Sequence, residues 1–254
     1  MKNYEQEKIA QTLVDFKNEE SEMKVDFSIS DLVSFEPMTK NQEKVAKLFR
    51  KGQNLICDGV AGVGKTFVGL NLAFEAVLNE HTPYDKVVIV RSAVATRDIG
   101  FLPGTEEQKL EVLEKPYEGI CNEIFRKDTK NIYKALKRND YLEFISTSYI
   151  RGLTIKNAIV VVDESQNLNF HELSSVITRL DDNSKIIFCG DYNQSDLLKT
   201  KNDKTGILRF KRIANEMPSV DVVTFDENDI VRGGLVKEFY LAQIKIEKED
   251  IEKE

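Results

Sequence analysis

Eight consecutive residues, Gly59-Val60-Ala61-Gly62-Val63-Gly64-Lys65-Thr66, fit the pattern G-x-x-x-x-G-K-[ST]. That spacing suits the holding of nucleotide phosphates. Phosphate oxygens are bound by main-chain N–H groups at a helix N-terminus, where four donors lack partners and the dipole is positive. The backbone must approach closely. Gly59, Gly62 and Gly64 carry no bulk and tolerate positive φ, while Val60, Ala61 and Val63 fill the remaining loop positions. Lys65 would bring a cation to the β- and γ-phosphates, and Thr66 a hydroxyl to Mg²⁺. A glycine-rich turn that merely precedes Lys-Thr is the bland alternative. The apolar run before the motif and the helical pattern after it weigh against that.

A second set of reactive groups follows an apolar strand. Val160-Val161-Val162 ends in Asp163-Glu164. Asp163 could hold a metal through its waters, and Glu164 could orient and deprotonate an attacking water. Any buried strand can end in acids, so this pair gains meaning from the phosphate loop upstream. Together they imply hydrolysis of ATP with Mg²⁺. Cys189-Gly190-Asp191-Tyr192-Asn193-Gln194 again places polar groups at a strand end. Gln194 could bond the γ-phosphate or the water, although Gly-Asp and Asn also build ordinary turns.

These groups need elements to position them. Asn54–Asp58 forms a short buried strand and Phe67–Asn79 a helix, which is the strand–loop–helix context the motif requires. Upstream, Thr39 can cap a helix over Lys40–Lys51, with Val45, Leu48 and Phe49 inward. Further strands are expected at Lys86–Arg91, Tyr141–Ser146, Ala158–Val162, Lys185–Cys189 and Val220–Phe225. The continuous apolar run at 158–162 marks a strand covered on both faces. Helices are expected at Phe170–Leu180, Gly206–Met217 and Leu235–Ile246, and as a pair over 105–139 that breaks near Lys127–Lys130. A further helical pattern carries Ile9, Leu13 and Phe16; residues 21–36 look irregular, and Arg97–Gly104 is a loop. Alternating strands and helices predict an α/β fold, a parallel sheet with helices on both faces. Right-handed crossovers place the phosphate loop at the carboxyl edge of the strands. The expected division is an N-terminal extension (1–38), one ATPase domain (39–246) and a charged tail (247–254).

Composition narrows the alternatives. The 254 residues carry a net charge of −7, which argues against bulk non-specific nucleic-acid binding but leaves room for a local basic face. Arg126, Lys127, Lys130, Lys134, Lys137 and Arg138 form one basic cluster, with Tyr133 and Tyr141 beside it. It is either a solvated face or a contact for a nucleic-acid backbone. The three cysteines are far apart, and Cys57 and Cys189 sit in apolar runs, so free buried thiols in a reducing, cytoplasmic setting are expected. Two histidines without ligand spacing argue against zinc. No signal peptide and no membrane-length apolar run is found.

Gly59–Thr66, Asp163-Glu164-Ser165-Gln166 and Gly190-Asp191-Tyr192-Asn193-Gln194 resemble motifs I, II and III of superfamily-1 helicases. Val90-Arg91-Ser92-Ala93-Val94, Gly100-Phe101-Leu102-Pro103-Gly104, Arg151-Gly152-Leu153-Thr154 and Asp229-Ile230-Val231-Arg232 resemble the PhoH family, in its short bacteriophage form. The resemblance spans roughly residues 39–240. It implies a RecA-like P-loop core binding ATP and Mg²⁺, with RNA or DNA binding or helicase activity. Gln42 resembles the adenine-reading glutamine of such ATPases; its amide has the donor and acceptor that the adenine edge needs. The chain departs from the family at Gly233-Gly234, after the Arg, and neither an RNA-binding KH domain nor a nuclease module is expected. Superfamily-1 monomers place ATP between two RecA-like domains, and this chain has room for one. A homo-oligomer, such as a hexameric ring, is therefore expected, with an arginine entering the neighbouring site. Arg232 is the first candidate, and Arg151 and Arg179 follow. An ATP-gated regulatory assembly without helicase activity and a small-molecule phosphotransferase are the competing functions.

Overall fold

A computed structural model of the chain describes the backbone of residues 25–92, 106–192 and 201–251. The helical pattern over 2–20, the loop at 97–104 and Gln194 lie outside the described residues.

Six parallel strands form one sheet: β1 (Asn54–Gly59), β2 (Lys86–Arg91), β3 (Leu142–Ser146), β4 (Ala158–Val162), β5 (Lys185–Gly190) and β6 (Val220–Phe225). Their spatial order is β3-β2-β4-β5-β1-β6. The phosphate-loop strand β1 and the acidic strand β4 are thus not neighbours. β5 runs between them, with Cys57 opposite Cys189 on one side and Val162 opposite Phe188 on the other. Three strand ends carrying the three polar motifs therefore stand side by side at one edge.

The helices are α1 (Lys40–Arg50), α2 (Lys65–Val77), α3 (Glu106–Ile124), α4 (Ile132–Arg138), α5 (Phe170–Ile177), α6 (Lys201–Asn215) and α7 (Gly234–Ile251). Alternate strand residues face opposite sides, as the period of two requires. Leu55, Ile89, Val161 and Ile187 join the core under α1–α4, and Ile56, Val90, Val160 and Phe188 join the core under α5 and α6. Both faces are covered, which explains why the strands lack polar alternation.

Local chemistry sets the helix ends. Thr39 caps α1 by accepting from the Gln42 N–H. Helix α2 begins two residues earlier than expected, because Gly64, at φ 80°, turns the chain directly into it and draws Lys65 and Thr66 into the first turn. Asn169 and Glu172 close α5 in a reciprocal cap. That helix ends at Ile177 rather than Leu180, and α6 starts at Lys201 rather than Gly206. The last helix continues through charged residues to Ile251. The break within 105–139 falls at residues 125–131, where Leu32 and Phe125 form an isolated bridge.

Candidate functional site

The phosphate loop leaves β1 at Gly59. A Cβ at this glycine would collide with the Phe225 carbonyl of β6, and its φ is 149°. No other residue fits there. Gly62 and Gly64 also adopt positive φ, at 82° and 80°. The Lys65 ammonium donates to the Gly59 and Val60 carbonyls at 2.6 and 2.8 Å. Two of its three protons are thus held by the loop, and the third can meet an anion.

Thr66 Oγ1 donates to Asp163 Oδ1 at 2.6 Å, across from β4. The Tyr117 hydroxyl of α3 donates to the other oxygen, Oδ2, at 2.9 Å. Tyr117 is fully buried, and burial together with the adjacent Asp163 carboxylate pushes its pKa well up, so it remains a donor. Hydroxyl and carboxylate oxygens converging on one spot are the ligands a hard divalent cation takes. Thr66 and Asp163 therefore fit Mg²⁺. Tyr117 carries no sequence signal for this place, because its partner lies 46 positions away.

Glu164 follows in the left-handed region, at φ 49°. Its neighbour Gln166 ties it down. Gln166 Nε2 donates to Glu164 Oε2 at 2.5 Å, and Gln166 Oε1 accepts from the Asp191 N–H at 3.1 Å. Ser165, wholly buried, donates to the Cys189 carbonyl at 2.9 Å. Its single proton being committed, the Tyr192 hydroxyl is the donor in their 2.8 Å contact. A Cβ on Gly190 would overlap Ser165 and Gln166, so glycine there lets the turn after β4 close onto the end of β5. The second and third motifs thus form one hydrogen-bonded body.

Gln42 is buried. Its Nε2 donates to the Val63 carbonyl of the loop at 3.0 Å, and its Oε1 accepts from the Met38 N–H at 2.8 Å. It braces the phosphate loop, and one N–H and one lone pair remain for a base. Arg232, expected to enter a neighbouring site, also lines the cleft of its own chain. The Val231 N–H donates to the Gly62 carbonyl at 3.2 Å, which lays Arg232 against its own phosphate loop. Asp229 reinforces this by accepting from Asn41 of α1 at 2.7 Å.

Lys65, Thr66, Asp163, Glu164, Gln42 and Arg232 line one cleft of about 640 Å³ at the carboxyl edge of the sheet. Its volume suits a nucleotide. A second cleft, about 510 Å³, opens at the ends of β3 and β4 and is lined by residues that include Thr147, Ser148, Arg151, His171 and the acidic Glu172. The basic cluster at 126–138 is more ordinary. Lys127 pairs with Asp31 at 2.9 Å and Lys137 with Glu114 at 2.5 Å. Tyr133 is buried and donates to Glu114, while Tyr141, half-buried, donates to Asp26 and meets Phe27 edge-on. All three cysteines are buried free thiols; contact with Cys57 and burial hold the Cys189 thiol well above its usual range.

Comparison with known proteins identifies relatives of the chain. The family model described as "PhoH-like protein" matches residues 34–243. A PhoH-like protein of Synechocystis sp. is 34% identical over 200 residues, covering 78% of this chain and 59% of that one. A Bacillus subtilis PhoH-like protein is 29% identical over 78% of this chain and 60% of its own length. Protein PhoH of Escherichia coli K12 is 29% identical over 74% of this chain and 52% of its own. The match thus spans between half and three fifths of these relatives. Among solved structures, the ADP complex of a large terminase from a thermophilic bacteriophage covers 79% of this chain and 48% of its own, with a TM-score of 0.44 at 14% identity. That likeness is too slight to bear on function. The strand order, the phosphate loop and the family match together place the chain: it is a P-loop α/β protein and belongs to the PhoH-like protein family.

Proposed function

We propose that the chain hydrolyses ATP, couples turnover to RNA or DNA, and works as a homo-oligomer. The carrying observation is the convergence of Lys65, Thr66, Asp163 and Glu164 in one cleft, with Thr66 and Asp163 2.6 Å apart. The N–H groups of the loop and the Lys65 ammonium hold the phosphates. Thr66 and Asp163 would hold Mg²⁺, which would supply charge to offset what builds on the phosphates. Glu164, steadied by Gln166, takes the proton of the attacking water. Carboxylates beside a phosphate loop favour water over another acceptor, which sets hydrolysis above phosphotransfer.

Support for nucleic acid comes from the second cleft. Arg151, His171 and the Ser148 hydroxyl share the sheet edge with the nucleotide cleft, beside Glu172, which accepts from the Thr147 hydroxyl. Residues 163–169 join the two clefts directly. Lys137 and Arg138, in contrast, lie just before the amino end of β3, at the opposite edge. Support for self-association comes from α7, which starts just after Arg232 and exposes Leu235, Phe239 and Ile246.

Phosphate release at several protein concentrations, with and without RNA and DNA, tests all three parts. Lys65→Ala is expected to remove both nucleotide binding and turnover. Glu164→Gln should keep nucleotide binding and lower turnover by about 10²-fold or more. Turnover untouched by either polymer defeats the coupling. Slow turnover with ATP-dependent assembly instead favours a regulatory ATP-gated module.

A further inference from the structure

Asp58 is the last β1 residue before the phosphate-loop motif, yet nothing in the chemistry above uses it. Its side chain is almost wholly buried. One oxygen, Oδ1, accepts from the Tyr192 N–H at 3.0 Å. The other, Oδ2, pairs with the Lys211 ammonium of α6 at 2.5 Å. That ammonium also lies 5.7 Å from the centre of the Tyr192 ring. A carboxylate is costly to bury unless its charge is met. Here it is met by a residue 153 positions later in the chain, and the other oxygen fixes a main-chain N–H.

Tyr192 leads on to Glu164 by two routes. Its hydroxyl donates to Ser165, the residue after Glu164. Its neighbour Asp191 donates its N–H to Gln166, whose amide donates to the Glu164 carboxylate. The sequence of contacts is therefore Lys211 to Asp58, Asp58 to Tyr192, and Tyr192–Asp191 through Ser165 and Gln166 to Glu164. It joins the strand that enters the phosphate loop to the group that faces the water.

We propose that Asp58, held by Lys211, is a positioning residue for Glu164, acting through the Asp191–Tyr192 turn and Gln166. The proposal rests on the hydrolysis reading above. The acceptor at position 58 aims the turn, and Lys211 keeps that acceptor in place. Because Lys211 sits on α6, a shift of that helix would reach the general base without altering the phosphate loop's own glycines.

The test is steady-state ATP hydrolysis on the full chain, with binding of a fluorescent ADP analogue measured separately. Asp58→Ala removes the acceptor. It is expected to lower kcat about 10-fold or more, with analogue binding changed less than about 2-fold. Asp58→Asn with Lys211→Met keeps an acceptor and removes both charges together, and should restore kcat to within about 3-fold. Adding Asp58→Ala to Gln166→Leu should cost little beyond Gln166→Leu alone, since both lie on one path. If Asp58→Ala does not fold, Lys211→Met alone reads the same link and should lower kcat with analogue binding retained.

Equal loss of kcat and analogue binding would overturn the proposal, since Asp58 would then shape the phosphate loop. So would full additivity with Gln166→Leu. Turnover that Glu164→Gln abolishes but Asp58→Ala leaves intact overturns the positioning role alone. No turnover in the unsubstituted chain overturns the hydrolysis reading and this one with it.

Discussion

At the scale of single residues, the glycines separate by what surrounds them. Gly59 combines φ 149° with a Cβ position inside the Phe225 carbonyl, while the nearest neighbour of a Cβ on Gly62 is the flexible Arg232 side chain at 3.3 Å. Gly59→Ala is expected to lower the unfolding free energy by about 3 kcal/mol or more. Gly62→Ala should cost about 1–2 kcal/mol, the strain of positive φ alone. Urea denaturation of both variants measures the contrast, and equal costs would show that β6 yields. Tyr117 acts differently. Its hydroxyl orients Asp163 without touching Thr66. Tyr117→Phe should raise the Mg²⁺ concentration for half-maximal turnover about 10- to 100-fold. Binding of nucleotide without metal should stay unchanged, as a metal titration followed by phosphate release would show. Tyr117 and Asp58 lie beyond the reach of motif reading for one reason. A motif records neighbours along the chain, whereas Asp58 meets Lys211 and Tyr192 only after β1, β5 and α6 have assembled.

At the scale of elements, the strands were the most legible part. Lys86–Arg91, Ala158–Val162 and Val220–Phe225 occur with the limits their β-branched runs suggest. Continuous apolar runs arise only where both faces are covered, and that is the case here. Helix ends were less legible, since Gly64 starts α2 by a backbone conformation and not by a side-chain cap. Strand order is invisible locally as well, because β5 enters between β1 and β4 from far along the chain. One junction between elements has a pH signature. Lys185, at the start of β5, is buried and donates to the Phe49 carbonyl of α1 at 2.7 Å, over the Phe49 ring. Burial lowers its pKa from 10.5 to about 8. Between about pH 8 and 10.5 the unfolded chain therefore binds more protons at this site than the folded one. Its contribution to stability rises with pH across that window. Lys185→Met removes the titration. The stability of the variant relative to the unsubstituted chain should fall across the same window and level off on either side. Thermal or urea unfolding from about pH 7 to about 10.5 reads this, and a constant difference would show that Lys185 keeps its ordinary pKa.

At the scale of the whole molecule, α7 is the element least accounted for by the single chain. Tyr240 and Ile244 turn inward against the core. On the outer side, Leu235, Phe239, Ala242 and Ile246 recur at intervals of four, three and four, which aligns them on one stripe. Leu235 is 79% exposed, Phe239 63% and Ile246 57%. Isolated exposed apolar residues are ordinary, but a stripe of this length on one helix is the kind of surface a partner would cover. No helix among the described residues is long and apolar enough to cross a membrane, so a bilayer-spanning helix does not explain it. Position supplies the occupant. Helix α7 begins two residues after Arg232, and Tyr240 stands beside Gly62, so a second copy seated on the stripe would border the nucleotide cleft. Such a copy could bring an arginine, Arg232 first and Arg151 or Arg179 after it, towards the neighbouring phosphates. A charge in the middle of the stripe breaks the contact at little cost to the monomer, since Phe239 already meets water. Phe239→Glu is expected to reduce the native mass to that of one chain and to lower turnover per chain by at least about 10-fold, with binding of the fluorescent ADP analogue retained. Light scattering and phosphate release over a range of concentrations decide it. An unsubstituted chain of monomeric mass, whose turnover per chain is independent of concentration, would mean that the cleft is complete within a single copy.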